Sequence, residues 1–276
     1  MVLPASLTMW RNRIDRGWQE RRGGSPRQVA GVSMGKIDGA LLGNLLEVHA
    51  LTKRYGDQTA LDHVTFAAGA GEVLGVIGPN GAGKTTLLEA VAGMMPAGSG
   101  EVLWGGRPIP PLRRREAVFY LPDGMRPYQD EHAAWVVSFF AAVYRRTARE
   151  VADTVASVGL AAVLPKRVSA LSKGFARRLM LAIGLLAPHP ILLMDEPFDG
   201  FDLRQTREIM DVLRREAAAG RCLILAIHQL ADAERVCDRF VLLADGCLQG
   251  QGTMQELRER SALPGGTLED IFLALT

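Results

Sequence analysis

The spacing of apolar residues changes period several times along the chain, and each change predicts an element. From Leu45, the stretches LLEVHAL, HVTFAA and EVLGVIG are short β-type runs separated by Gly-rich turns. In the following GPNGAGKTTLLEAVAGM, Leu87, Leu88, Val91 and Met94/Met95 recur at helical spacing. EVLW and AVFYL are further strand candidates, while EHAAWVVSFFAAVYRR and EVADTVASVGL predict helices. LSKGFARRLMLAIGLLAPHP carries Phe175, Leu179, Ala182/Ile183 and Leu186 on one face and stops at Pro-His-Pro. ILLMD and RCLILAIH are continuous apolar runs of the kind buried on both faces of a parallel sheet. Between and after them come an amphipathic helix, LRQTREIMDVLRREAAAG, ended by Gly220, a short helix, DAERVCD, and a hairpin made of RFVLLADG and CLQGQG. Strands alternating with helices predict an α/β fold with a mostly parallel sheet, and the initial run of strands adds an antiparallel β layer.

Composition bounds this picture without redirecting it. The 276 residues, 48% hydrophobic and 22% charged, suit an ordinary globular protein, and a net charge of +2 gives no reason to expect a nucleic-acid partner. Cys222, Cys237 and Cys247 are odd in number and lack CxxC spacing, which argues against a zinc site and a disulfide framework. No run approaches eighteen apolar residues, so the chain is expected not to span a membrane by itself. Residues 1–43 differ from the rest: Arg11, Arg13, Arg16, Arg21, Arg22 and Arg27 face only three acidic residues, and a GGSP break follows. They are read as a basic, flexible N-terminal extension without the apolar segment of a secretory signal.

The chemistry starts at Gly78-Pro79-Asn80-Gly81-Ala82-Gly83-Lys84-Thr85, which fits G-x-x-x-x-G-K-[ST] in full between a strand and a helix. Glycines at this spacing let backbone N–H groups line a phosphate, and the helix N-terminus adds a favourable dipole. Lys84 is expected on the β and γ phosphates and Thr85 on magnesium. ILLMDEPFDGFD then sets Asp195, Glu196, Asp199 and Asp202 after a buried run, where charge costs desolvation energy unless a cation shares the space. Asp195 is suited to magnesium and the adjacent Glu196 to the attacking water. Asp199 is read as ordinary surface.

With these residues in place the chain resembles the ATP-binding cassette (ABC) ATPases from about Leu45 to Thr276. The decisive words are Leu171-Ser172-Lys173-Gly174-Phe175, similar to the family signature LSGGQ and lying about twenty residues before ILLMDEP. The resemblance implies a P-loop NTPase core with an antiparallel β subdomain and a helical subdomain at about 124–187, all within a domain spanning 44–276. It implies that ATP and magnesium are the cofactors. Tyr55 would stack on adenine, the loop residues Gly78 to Thr85 together with Thr86 would hold the phosphates, and Glu196 with His228, 32 residues later, would act on water. The signature would grip ATP held by the opposite subunit of a head-to-tail dimer, with itself or a homologous ATPase, and Asp202 would lie in the loop that crosses to it. Read without the resemblance, LSKGF is a plain helix cap. Lys173 stands where the family commonly has Gly and would add charge beside the phosphate.

Asp123, in FYLPDGMRPYQD, occupies the position of the family's metal-contacting Gln. A carboxylate can ligate magnesium directly but, when ionised, cannot donate a hydrogen bond. Gln129, six residues on, would replace that Gln only if the loop folds back. The helix after it is read first as core. Trp135, Phe139, Phe140 and Tyr144 are the residues through which it would otherwise meet a partner. The resemblance therefore implies an ATPase at the cytoplasmic face of the membrane, working with separate permease subunits, and the ending TLEDIFLALT is similar to that of exporters. A soluble ABC ATPase acting on ribosomes or DNA, or a regulatory ATP-binding module, are the alternatives.

Overall fold

A computed structural model describes residues 44–276; the basic extension expected over 1–43 lies outside the described residues. Two sheets form. β1 (Asn44–Tyr55), β2 (Gln58–Gly69), β4 (Ser99–Trp104) and the two-residue β5 (Arg107–Pro108) make an antiparallel sheet in the order β2-β1-β4-β5. The second sheet runs β10-β9-β3-β8-β7-β6, from β3 (Val73–Ile77), β6 (Val118–Leu121), β7 (Ile191–Asp195), β8 (Cys222–Ile227), β9 (Arg239–Ala244) and β10 (Cys247–Gly252). Its pairs are parallel except β9 with β10, the expected hairpin. This is the expected α/β architecture with its added antiparallel layer.

The continuous apolar words are central strands because they have no solvent face. Every residue of β3, β7 and β8 is buried, including Asp195 at the end of β7. Burying one Leu or Ile side chain is worth about 1.5–3 kcal/mol, so these runs anchor the sheet. Parallel strands also end on one side. β3 feeds the Gly-rich loop, β7 ends at Asp195, and Leu121 of β6 lies opposite Met194, so Asp123 leaves beside Asp195. Ligands of open α/β sheets bind at such carboxyl ends.

The helices are α1 (Lys84–Ala92), α2 (Ala133–Val143), α3 (Ala148–Ser157), α4 (Lys173–Leu186), α5 (Leu203–Ala218), α6 (Leu230–Val236), α7 (Met254–Ser261) and α8 (Leu268–Leu275). Their ends follow local chemistry. α2 stops short of the expected word because Arg145 takes a left-handed φ of 55° just beyond it. α3 starts earlier than EVADTVASVGL implied, since Thr147 and Glu150 form a capping box. The core reading of α2 fails for two residues: Trp135 and Phe139 are 40% and 45% exposed, and their stacked rings lie 5.3 Å apart. Among the described residues no helix is long and apolar enough to cross a membrane.

Candidate functional site

A cleft of about 560 Å³ opens where the two sheets and α1 meet, lined by Tyr55, Asn80, Lys84, Thr85, Asp195 and Glu196 among others. The loop after β3 builds its floor. Gly83 caps α1 with a φ of +101°, and a Cβ there would come 2.5 Å from the Ala60 carbonyl oxygen. A Cβ on Gly78 would come 2.2 Å from the Leu243 carbonyl oxygen. These glycines are therefore required by the packing of the loop against β2 and β9 as well as by its turn. Gly83→Ala is expected to destabilise the chain by about 1–3 kcal/mol, read as a shift of its urea unfolding midpoint.

Lys84, at the first position of α1, is buried and donates to the carbonyls of Gly78 at 2.7 Å and Pro79 at 3.1 Å. Burial lowers its pKa, and the carboxylates Glu196 and Asp195 draw it back up. Thr85 Oγ1 donates to Asp195 Oδ2 at 2.6 Å. Burial raises the pKa of Asp195, and the Thr85 hydrogen bond opposes that shift. A hydroxyl and a carboxylate side by side are the hard oxygen donors magnesium takes, so the pair fits that ion. Among the described residues no cluster of three or more His, Cys, Asp or Glu is placed to hold a metal alone.

Glu196 follows with a left-handed φ of 49°, a conformation that costs a non-Gly residue about 1–3 kcal/mol. Its N–H donates to Ala226 O on β8 at 3.0 Å, turning the side chain away from the line of β7. His228, just beyond β8, places Nδ1 2.5 Å from Glu196 Oε2. An ionised carboxylate only accepts, so Nδ1–H is the donor. Tyr55 is 48% exposed at the cleft, with its hydroxyl on Met95 Sδ at 3.1 Å and Lys53 Nζ 5.0 Å from the ring centre.

The signature residues Leu171, Ser172, Lys173, Gly174 and Phe175 do not line this cleft. Ser172 caps α4, accepting from the Phe175 N–H at 3.4 Å, as the plain-cap reading requires. Lys173 pairs with Asp199 at 2.7 Å on the surface, and the pair holds the Asp199 carboxyl below the usual range. Asp202 is exposed and caps α5, accepting from the Gln205 N–H at 2.8 Å. Gln129 does not fold back to the cleft: its carbonyl accepts from the Ser169 N–H at 2.9 Å, and its side chain is absent from the lining.

Asp123 does line the cleft, and its Oδ1 accepts from Arg177 Nη2 at 2.8 Å. Sequence reasoning missed Arg177, which sits beside Arg178 just before the apolar run of α4. It also missed Gln58 and Asp245. Gln58 faces Tyr55 across the β1–β2 turn, and Asp245 sits in the Asp-Gly turn of the β9–β10 hairpin. That two-residue turn, with φ positive at both positions, was itself legible as a hairpin signal. Its reach to the cleft depends on a tertiary contact, the Asp62 N–H to Gly246 O bond at 2.9 Å.

The family model for ABC transporters matches residues 61–199, about half of the chain. The Nod factor export ATP-binding protein I of Ralstonia nicotianae is 34% identical over 221 residues, covering 77% of this chain and 68% of its own. A probable multidrug ABC transporter ATP-binding protein of Escherichia coli, YbhF, is 30% identical over 261 residues; the match takes in 91% of this chain and 45% of that protein. Among solved structures, an ATP-binding subunit of an ABC transporter superposes with a TM-score of 0.76 at 29% identity, over 84% of this chain and 99% of that one.

Proposed function

The chain belongs to the ABC transporter family and is an ATPase of that family, and on that premise we propose that it is the energy-supplying subunit of an exporter whose membrane-spanning parts are separate chains. The observation that carries this reading is the convergence, at one cleft, of Lys84, the Thr85–Asp195 oxygen pair and the Glu196–His228 pair. In this reading residues 44–276 form the ATPase domain, with a helical subdomain at about 124–187. Export is supported by the names of the similar Nod factor and multidrug proteins.

Each side chain then has a task that its surroundings suit. Loop amides and Lys84 bind the phosphates, and the buried ammonium strengthens the attraction by excluding water. Thr85 and Asp195 would hold magnesium, which would neutralise charge building on the phosphate oxygens. Glu196 draws a proton from the attacking water, and His228 keeps that carboxylate in one orientation. Tyr55 offers a flat face to the base. Tyr55→Ala is expected to raise the KM for ATP about 2- to 10-fold with kcat little changed, since one aromatic stacking contact is worth about 0.5–1.5 kcal/mol. A steady-state ATP titration reads this directly.

The second half of the cycle lies between two chains. Ser172 and Gly174, away from their own cleft at the start of α4, would close over ATP held by a partner subunit, with Asp202 in the adjoining loop. Closure and hydrolysis would then move the membrane partner. The exposed, stacked Trp135 and Phe139 on α2 support a docking face for that partner. The protein would sit peripherally on the cytoplasmic face of the membrane. The test is fractionation of cells with and without a candidate multi-span permease subunit. Membrane retention that depends on that protein is expected, whereas sedimentation with ribosomes in both strains would favour the non-transport alternative.

A further inference from the structure

The side chain of Arg177 joins the segment that follows β6 to the end of β7. Its guanidinium, only 7% exposed, comes from the second turn of α4. Nη2 donates to Asp123 Oδ1 at 2.8 Å, to the Asp195 carbonyl at 3.4 Å, and to the Glu196 carbonyl by a shorter contact. The Glu196 carbonyl also accepts from the Asp199 N–H at 3.2 Å. The left-handed turn at Glu196 is therefore clamped on both sides: its N–H is fixed by β8 and its C=O by Arg177 and Asp199. A buried guanidinium requires a counter-charge, and Asp123 supplies it.

We propose that Arg177 is a positioning residue for the hydrolytic reaction, and that Asp123 is its ion-pair partner rather than a magnesium ligand. The proposal rests on the ATPase reading of the cleft. Asp123 and Asp195 are two carboxylates at neighbouring strand ends, and Arg177 lies between their charges. It keeps Asp123 from competing for the metal and holds the peptide that aims Glu196 at the cleft. The same side chain ties the helix that starts at Ser172 to the turn carrying Glu196.

The test compares Arg177→Gln, Arg177→Lys, Asp123→Asn and the double variant Arg177→Gln/Asp123→Asn in the full chain. Arg177→Gln is expected to lower kcat about 100-fold, the scale of a roughly 1 Å misplacement, with the KM for ATP within about twofold. Asp123→Asn should lower kcat similarly, and the double variant should be no worse than either single change, because the two residues act as a unit. Arg177→Lys, which keeps the charge but not the fork, should recover part of the loss. Manganese binding in the presence of ADP, followed by electron paramagnetic resonance, supplies a readout that a merely structural role would not move. Asp123→Asn should leave manganese affinity unchanged, and Arg177→Gln should tighten it by releasing a carboxylate into the cleft.

Additive losses in the double variant, or weakened manganese binding in Asp123→Asn, would overturn the proposal. If Arg177→Gln fails to fold, the Asp123→Asn manganese titration still decides. A wild-type chain without magnesium-ATPase activity would instead sink the proposed function, leaving the manganese result to report on Asp123 alone.

Discussion

Glu196→Gln is expected to bind ATP normally and to lose turnover by about 10³-fold, within the range that a positioned general base contributes. The change keeps the shape of the side chain and removes only its capacity to take a proton. An amide can still accept from His228 Nδ1–H, so the contact at Oε2 has a neutral counterpart. The left-handed backbone at Glu196 is held by its main-chain bonds to Ala226, Asp199 and Arg177, none of which involves the carboxylate. The variant should therefore retain its fold and its nucleotide site. Because ATP would be bound but not consumed, a closed pair of chains should accumulate, visible as ATP-dependent dimer by size-exclusion chromatography with light scattering. Turnover within tenfold of wild type would remove Glu196 from the reaction.

Lys84→Ala is expected to weaken ATP binding about 10- to 100-fold and to bring hydrolysis to background, matching the 1.5–3 kcal/mol lost with a charged hydrogen-bond donor. Two effects add. The loop loses the bonds that Lys84 makes to the Gly78 and Pro79 carbonyls, and the cleft loses a buried cation that interacts with the Glu196 and Asp195 charges. Without it, the triphosphate would enter a site whose remaining side-chain charges include Asp123, Asp195, Glu196 and Asp245. Like-charge repulsion then opposes binding as well. Equilibrium binding of a fluorescent ATP analogue and phosphate release report the two losses separately. Normal magnesium-ATPase activity in this variant would contradict the assignment of the loop.

The features legible in the sequence were those written in contiguous residues. ILLMD could only be a central strand, because five apolar or strand-ending positions in a row leave no face for water, and Asp195 at its end had to meet a cation. GPNGAGKT carried its own geometry, since its glycines are the residues that the turn and the Leu243 and Ala60 carbonyls allow. The Lys173–Asp199 ion pair was not legible because the two residues are distant in sequence and meet only once α4 docks. Arg177 and Asp123 are separated by 54 positions, so no local pattern could join them. Trp135 and Phe139 look like core in composition, and only the packing of α2 shows them turned outward. Long-range polar pairs and the outward face of an apolar helix are products of tertiary contact, which a pattern of hydrophobic periods does not encode.

The central claim is that two such chains together hydrolyse ATP at this cleft. Its most direct test is phosphate release from magnesium-ATP measured across protein concentration, with wild type and Glu196→Gln side by side. The account predicts that specific activity rises with wild-type concentration, as two chains meet to complete each site, and that Glu196→Gln stays near background throughout. A specific activity independent of concentration, shared by the variant, would contradict it.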